Sequence, residues 1–317
     1  MRHAVISGTG SYLPKGSMSN QVLETRLDTT HEWIFARTGI ASRHIAEAHE
    51  TTGYMASQAG AQAIKAAGLS PDQIDLILVA TCTPDRFFPS MACQVQHDLG
   101  ITRTIPALDI SAACSGFIYG MDIAKQYLVA GAAQHVLVIG SETMSRALDW
   151  TDRSTCILFG DGAGAAVLSA SETPGILASC LHASYDAADL LTFPNYTTSD
   201  SVGLIGMRGS DVFKIAVNIM GDIVEEVLSA GGLNKSDVHW LIPHQANIRI
   251  IQAIAKKLDM PMSQVIVTIE NQGNTSAASI PLALDHAVRQ GQVQRGQVLL
   301  LESFGGGMTW GAMLVRY

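Results

Sequence analysis

One cysteine, Cys114, stands in the run DISAACSGF at residues 109–117. Its neighbours Ser111, Ala112, Ala113, Ser115 and Gly116 carry almost no bulk. A thiol attacks as the thiolate. The first turn of a helix favours that form through unpaired N–H groups and the positive dipole end. Small neighbours also permit the tight strand-to-helix turn that holds a nucleophile out. Taken alone, the pattern reads equally well as a buried cysteine at a close helix contact. Two residues farther on could serve the same chemistry. His244 ends an apolar run in WLIPHQANIRI, and Asn274 sits in a glycine-containing loop in ENQGNTSAASIP. By itself a lone His is more often structural, and a loop Asn is more often turn chemistry. Both fall at joints between elements, where the sites of α/β sheets gather. The run FGGGMTWG, residues 304–311, would bring backbone N–H groups close to a reacting oxygen. A tight hairpin is its other reading.

The elements that must hold these groups alternate between strand and helix. TIPALDI leads into Cys114 and FIYGMDIAKQYLVAG leads out. LSPDQIDLILVA is a turn feeding an apolar strand, and HVLVIGSE is another such strand. Helix patterns cover 51–67, ended by Gly68, and 115–130, ended by Gly131. Continuous apolar strands between helices predict sheets covered on both faces. A repeat runs through the chain in register. LSPDQIDLILVA (69–80) matches LNKSDVHWLIPH (233–244), HVLVIGS matches QVLLLES, and FGDGAGAAVL matches FGGGMTWGAMLV. The order predicts two similar α/β halves, roughly 1–170 and 171–317, packed face to face as one body. Residues 184–211 read as a surface excursion.

Bulk properties narrow the function. The chain has 317 residues, 47% hydrophobic and 15% charged, which suits a compact enzyme with a buried subunit contact. A net charge of −8 argues against nucleic acid as a partner. No apolar run is long enough to span a bilayer, and the start MRHAVISGTGSYLP meets Gly and Pro too early for a secretory signal. The expected location is cytoplasmic. Cys82, Cys93, Cys114, Cys156 and Cys180 lack C-x-x-C spacing, so free thiols are expected, four of them as small buried hydrophobes.

AACSG, PHQAN, GNTSAAS, FGDGAGA and FGGGMTWG together resemble β-ketoacyl-[acyl carrier protein] synthase III, the condensing enzyme that begins type II fatty acid synthesis. The resemblance runs from GTGSYLP to the last strand and implies a thiolase-like fold, a layered α-β-α-β-α body. It implies an acyltransferase with the triad Cys114, His244 and Asn274. Cys114 would carry the acyl group of an acyl-CoA primer. His244 and Asn274 would donate to the thioester oxygen of malonyl-[acyl carrier protein] as carbon dioxide leaves. Backbone N–H groups of Cys114 and of Gly305, Gly306 and Gly307 would hold the second oxyanion. Elongating synthases use two histidines and thiolases a second cysteine, whereas no Cys lies beyond Cys180 here.

The resemblance also implies binding residues. Coenzyme A would meet Thr29, Trp33, Arg37, Arg153, Phe213, Asn247 and Arg249, with Trp33 and Arg153 on either face of the adenine. Acyl carrier protein is acidic, as this chain is, so docking needs a basic face. Lys214, Gln245, Ala246, Asn247, Ile248, Arg249, Lys256 and Lys257 would form it; Arg249 and Lys256 lie two helical turns apart. Phe88 would cross a homodimer interface and close the partner's acyl pocket. Met308 stands where relatives often carry an aromatic and would widen or soften that pocket. No metal or redox cofactor is expected: the sequence has neither zinc-ligand spacing nor a phosphate-binding glycine loop. The alternatives are a starter synthase of secondary metabolism with a longer primer, a cysteine hydrolase, and a non-catalytic scaffold of the same fold.

Overall fold

The computed structural model describes residues 2–186, 188–195 and 203–317. Two sheets carry the fold. The first has the strand order His3–Tyr12, Asp161–Ser171, His135–Thr143, Leu76–Ala80, Ala107–Ile110. The second runs Ile176–Ala183, Thr309–Arg316, Val298–Gly305, Trp240–Pro243. In both, the second strand runs antiparallel to the first and to the third, and the third pairs parallel with the fourth. The three matched sequence pairs fall on corresponding strands of the two sheets.

The strands are apolar on both faces because helices cover both. Every residue of Leu76–Ala80 is buried. Helix Thr52–Ala66 packs on the outside of the first sheet, and Gly209–Gly231 on the outside of the second. Helices Gly116–Val129 and Ser279–Arg289 lie between the sheets. The result is the expected α-β-α-β-α layering, with one apolar cluster outside each sheet and one in the middle. Close approach explains the glycine and alanine content. A Cβ on Gly10 would sit 2.3 Å from the carbonyl oxygen of Ala59, so only glycine lets this strand and helix touch. Gly68 and Gly131 do end their helices, at φ 70° and 75°.

Two expectations need correction. Residues 184–211 are not simply a surface excursion, although 187 and 196–202 lie outside the described residues. Leu191–Thr192 pairs antiparallel with Gly206–Met207, and Leu190 and Ile205 are buried in the outer core beside this ribbon. Four cysteines are not all buried: Cys93 is exposed and Cys82 and Cys180 are half-buried.

Candidate active site

Cys114 is the middle residue of a 3-10 turn, Ala113–Ser115, and helix Gly116–Val129 follows at once. Ala113 has φ 45°, the left-handed region that non-glycine residues avoid. The second half holds this turn in place. Ser303 Oγ donates to the Cys114 carbonyl at 2.8 Å, and Thr309 Oγ1 to the Ala112 carbonyl at 2.8 Å. Ser115 Oγ donates back to the Thr309 carbonyl at 3.0 Å. A Cβ on Gly305 would lie 2.6 Å from the Cys114 nitrogen, so the glycine run brings its backbone against the nucleophile.

The helix-start position is as expected, but the expected thiolate is not. Burial pushes the Cys114 thiol up to about 12, and the nearby Glu142 charge adds to that, against a hydrogen bond from Ser276. Desolvation disfavours the charged form more than the helix start favours it. The resting group is the thiol.

His244 and Asn274 are each held so that a donor faces outward from their anchoring bonds. His244 Nδ1 lies 2.6 Å from Ser279 Oγ, which also accepts from the Gln245 N–H at 3.3 Å. With the Gln245 N–H on one of its lone pairs, that hydroxyl is placed to give its proton to Nδ1, the pairing that keeps the hydrogen on Nε2 facing the cavity. Burial drives His244 down to about 3, so the ring is neutral. Asn274 Oδ1 accepts from the Ser276 N–H at 2.9 Å, which leaves its NH2 group as the free donor. The Asn274 backbone is fixed by the first half: it donates to Leu158 at 2.8 Å and accepts from Gly160 at 3.0 Å.

Cys114, His244, Asn274 and Phe304 line one cavity of about 550 Å³, whose exposed end carries Arg37 and Arg249 beside Trp33, Phe213 and Asn247. A second cavity of about 550 Å³ lies behind Cys114, with Leu191, Ile205, Ser276, Gly306 and Gly307 among its walls. The thiol stands at the join. Such an arrangement suits group transfer: a ligand enters by a basic mouth, meets a thiol, and leaves a residue in an apolar pocket.

The other predicted residues divide. The guanidinium carbons of Arg37 and Arg153 lie 4.3 and 4.6 Å from the Trp33 ring centre, and Arg249 lies 5.4 Å from that of Phe213. Asn247 caps helix Ile248–Lys257 and donates to the Arg37 carbonyl at 2.9 Å, tying the two binding segments together. Ala246 lines the cavity with Lys214. Ile248 is half-buried against Gly39. Lys256 is exposed; Lys257 is exposed too, but its ammonium folds over Gly221. Thr29 Oγ1 is buried and does not line the cavity.

Gln245 is a correction. It is 1% exposed, donates to the Pro243 and Ile266 carbonyls and accepts from the Thr268 and Ile269 N–H groups. A side chain so engaged is a bracket for the His244 loop and cannot contact a partner protein. Met308 is buried in the outer core and lines neither cavity, so it does not shape the acyl pocket directly. Phe88 is 86% exposed.

Sequence reasoning missed Ser279, Ser303, Thr309, Ser276 and Glu142. The only signal for the first and fourth was the run of small polar residues in GNTSAAS; the others act across the chain and left none.

Comparison with known proteins gives the same answer along the whole chain. A family profile described as 3-oxoacyl-[acyl-carrier-protein] synthase III matches residues 108–184, and its C-terminal counterpart matches 228–317. The β-ketoacyl-[acyl-carrier-protein] synthase III of Methylococcus capsulatus is 55% identical over 320 residues, covering 100% of this chain and 99% of that one. The crystal structure of the synthase III of Aquifex aeolicus is 50% identical with a TM-score of 0.94, covering 99% of this chain and 100% of that one. The priming β-ketosynthase of the R1128 polyketide pathway is 38% identical, also with a TM-score of 0.94, over 99% of this chain and 96% of that one. The fold is therefore thiolase-like, and the chain belongs to the β-ketoacyl-[acyl-carrier-protein] synthase III family of condensing enzymes.

Proposed function

We propose that the chain performs the starter condensation of fatty acid synthesis, joining an acyl-CoA primer to malonyl-[acyl carrier protein] to give 3-oxoacyl-[acyl carrier protein], CoA and carbon dioxide. The observation that carries this reading is the convergence of a thiol, a neutral imidazole N–H and an amide NH2 on one buried cavity. Cys114 takes the acyl group, with CoA as leaving group. The malonyl carboxylate then leaves as carbon dioxide, and the electron pair of the broken C–C bond moves onto the thioester oxygen. His244 and Asn274, as fixed donors, hold that oxygen. Each such donor lowers the barrier by on the order of 3 kcal/mol. The carbanion attacks the acyl-cysteine, and N–H groups of Cys114 and of the 305–307 glycines hold the oxyanion until Cys114 leaves. The reaction balances without a metal or redox cofactor.

Trp33, Arg37, Arg153, Phe213, Asn247 and Arg249 form the CoA mouth in this reading, with Thr29 supporting it. Adenine entering between Trp33 and Arg153 must part the contact the two now make. Lys214, Arg249, Lys256 and Lys257, with Ala246, Asn247 and Ile248 beneath them, face the acidic carrier protein. Phe88, so exposed an aromatic, is read as crossing to a second copy of the chain. No helix among the described residues is long and apolar enough to cross a membrane, and the reading places the enzyme in the cytoplasm. The division near residue 170 follows the repeat.

The test follows labelled acetyl transfer onto the protein beside carbon dioxide release, for His244→Ala, Asn274→Ala and the pair. Each single change should slow release about 100-fold or more and spare acetyl transfer. The double should lose less than the product, since both donors serve one oxygen. If His244→Ala abolishes acetyl transfer as completely as release, His244 is the base for Cys114 and the proposed division of roles is wrong. A second reading, a starter synthase with a longer primer, has the size of the cavity behind Cys114 in its favour. Initial rates with acetyl-, butyryl- and branched acyl-CoA separate the two.

A further inference from the structure

Arg43 is a fully buried arginine with no part in the chemistry described so far. It lies in the short strand Ser42–His44, which pairs with Ser17–Ser19. Its Nη1 donates to the Met18 carbonyl and to Asn20 Oδ1, both at 3.0 Å. Its Nη2 donates to Asn20 Oδ1 at 3.0 Å and to the Ile157 carbonyl at 2.7 Å. Among the described residues none of its acceptors is a carboxylate. Burial lowers the guanidinium to about 10, which leaves it charged at neutral pH. A buried charge without a counter-charge is costly, so what this fork holds must matter. On one side it holds the entry arm. Asn20 Nδ2 donates to the Ile40 carbonyl at 2.6 Å, just past helix His31–Thr38, which carries Trp33 and Arg37. On the other side it holds residues 157–160. Ile157, Leu158 and Phe159 line the cavity of the triad. Phe159 forms a parallel bridge with Asn274, and the Leu158 carbonyl and the Gly160 N–H are the partners of the Asn274 backbone. The stem of Arg43 is fitted to the same place. A Cβ on Gly160 or on Gly273 would lie 3.0 Å from the Arg43 Cβ, so a glycine on each side of the bridge lets Arg43 sit against it. The Ala41 N–H also donates to the Glu270 carbonyl at 2.8 Å, in the segment that leads into Asn274.

We propose that Arg43 is a positioning residue for carbon dioxide release, acting through Asn274 and touching no reacting atom. The Asn274 NH2 group points where its backbone aims it. That backbone is set by residues 157–160, and they are set in turn by Arg43. A planar fork reaches three separate segments at fixed angles, which a single ammonium cannot do. If residues 157–160 shift, Asn274 shifts with them, and a donor misplaced by about 1 Å loses on the order of 100-fold in rate. The other members of the triad are anchored elsewhere. Ser303 and Thr309 hold the Cys114 turn, and Ser279 holds His244. The loss of Arg43 is therefore felt in the step that needs Asn274 and not in acetyl transfer.

Arg43 acts in this way only if Asn274 serves carbon dioxide release, the role proposed for it above. The two ideas are separated by measuring labelled acetyl transfer from acetyl-CoA and carbon dioxide release from malonyl-[acyl carrier protein] side by side. The proteins are the full-length wild type, Arg43→Met, Arg43→Lys, Asn274→Ala, and each Arg43 variant combined with Asn274→Ala. Arg43→Met should slow release by about tenfold or more and leave acetyl transfer near wild type. Once Asn274 is replaced, it should have no further effect on release, because both changes act on one donor. Arg43→Lys should fall between Arg43→Met and the wild type. If Arg43 only supports the fold, both half-reactions slow alike and its effect adds in full to that of Asn274→Ala, which overturns the proposal. So does a raised KM for acetyl-CoA with release unchanged, since Arg43 would then serve the entry arm. Arg43→Lys keeps the test decisive if Arg43→Met fails to fold: release at the wild-type rate would show that the fork is not needed. If Asn274→Ala itself leaves release unchanged, the role assigned to Asn274 fails, and that of Arg43 with it.

Discussion

In the first half the turn Ala113–Ser115 opens at φ 45° and runs into helix Gly116–Val129. In the second half the turn Ser276–Ala278 opens at φ 49° and runs into helix Ser279–Arg289. The two turns pack against each other between the sheets. A non-glycine residue in this region carries strain on the order of 1–3 kcal/mol, so it persists only where its surroundings leave no alternative. Here a glycine on a facing strand permits each turn: Gly305 against Cys114, Gly140 against Ala277. The strained frame is thus shared, and only its side chains differ. The second position is Cys114 in one turn and Ala277 in the other; the first is Ala113 in one and Ser276 in the other. One turn presents the nucleophile, and the other presents what surrounds it.

The largest expected effect breaks this comparison outright. Cys114→Ala should reduce acetyl labelling to background, and adding Ala277→Cys should not restore it, because Ala277 lines neither of the two cavities that meet at Cys114. A labelled double variant would show that any thiol on such a turn suffices. Next is Ser279, which matches Gly116 and holds His244 Nδ1. Ser279→Ala should slow carbon dioxide release about tenfold, as loss of an orienting hydrogen bond often does, and leave acetyl transfer near wild type. Equal loss in both steps would mean that the second turn has collapsed.

A third prediction concerns pH. The His244 pKa falls from an ordinary value near 6.5 to about 3 on folding. The unfolded chain therefore binds a proton in that window that the folded chain does not. Stability from this source is complete above about pH 6.5 and is lost as pH falls toward 3, amounting to about 2 kcal/mol by pH 5. Denaturant unfolding of the wild type and of His244→Ala at pH 7 and pH 5 should show a drop smaller by that amount in the variant. Identical drops would mean that His244 is protonated in the folded protein. The smallest effect is at the exposed rim of the second half. Lys256→Glu should raise the KM for malonyl-[acyl carrier protein] two- to fivefold, in line with one exposed charge, and the difference should shrink with salt. A like change in the KM for acetyl-CoA would place Lys256 at the CoA mouth instead.

The sequence was most legible where a function sits on one local turn. Cys114 between a strand and a helix, His244 at a strand end and Asn274 before a helix each show as a run of neighbours, and the repeat exposed the two sheets. What stayed hidden depends on contacts between distant segments. Gln245 looked like a docking residue because it follows His244, but its bonds reach Thr268 and Ile269, more than twenty residues away. Glu142 reads as an ordinary strand-end acid until Thr81 and Thr83 close over it. The Cys114 ionisation was misjudged for the same reason: helix position is local, whereas desolvation is set by everything packed around the sulfur.

The bonds that fix the nucleophile turn have a consequence for the order in which the chain is made. Ser303 follows Cys114 by 189 residues and Thr309 follows Ala112 by 197. A ribosome has therefore released nearly the whole second half before the turn can be set at its left-handed angle. Until then the glycine run 305–307, whose backbone lies against Cys114, is not in place. The nucleophile turn is thereby tied to the docking of the last two strands, Val298–Gly305 and Thr309–Arg316, the end of the chain to emerge last.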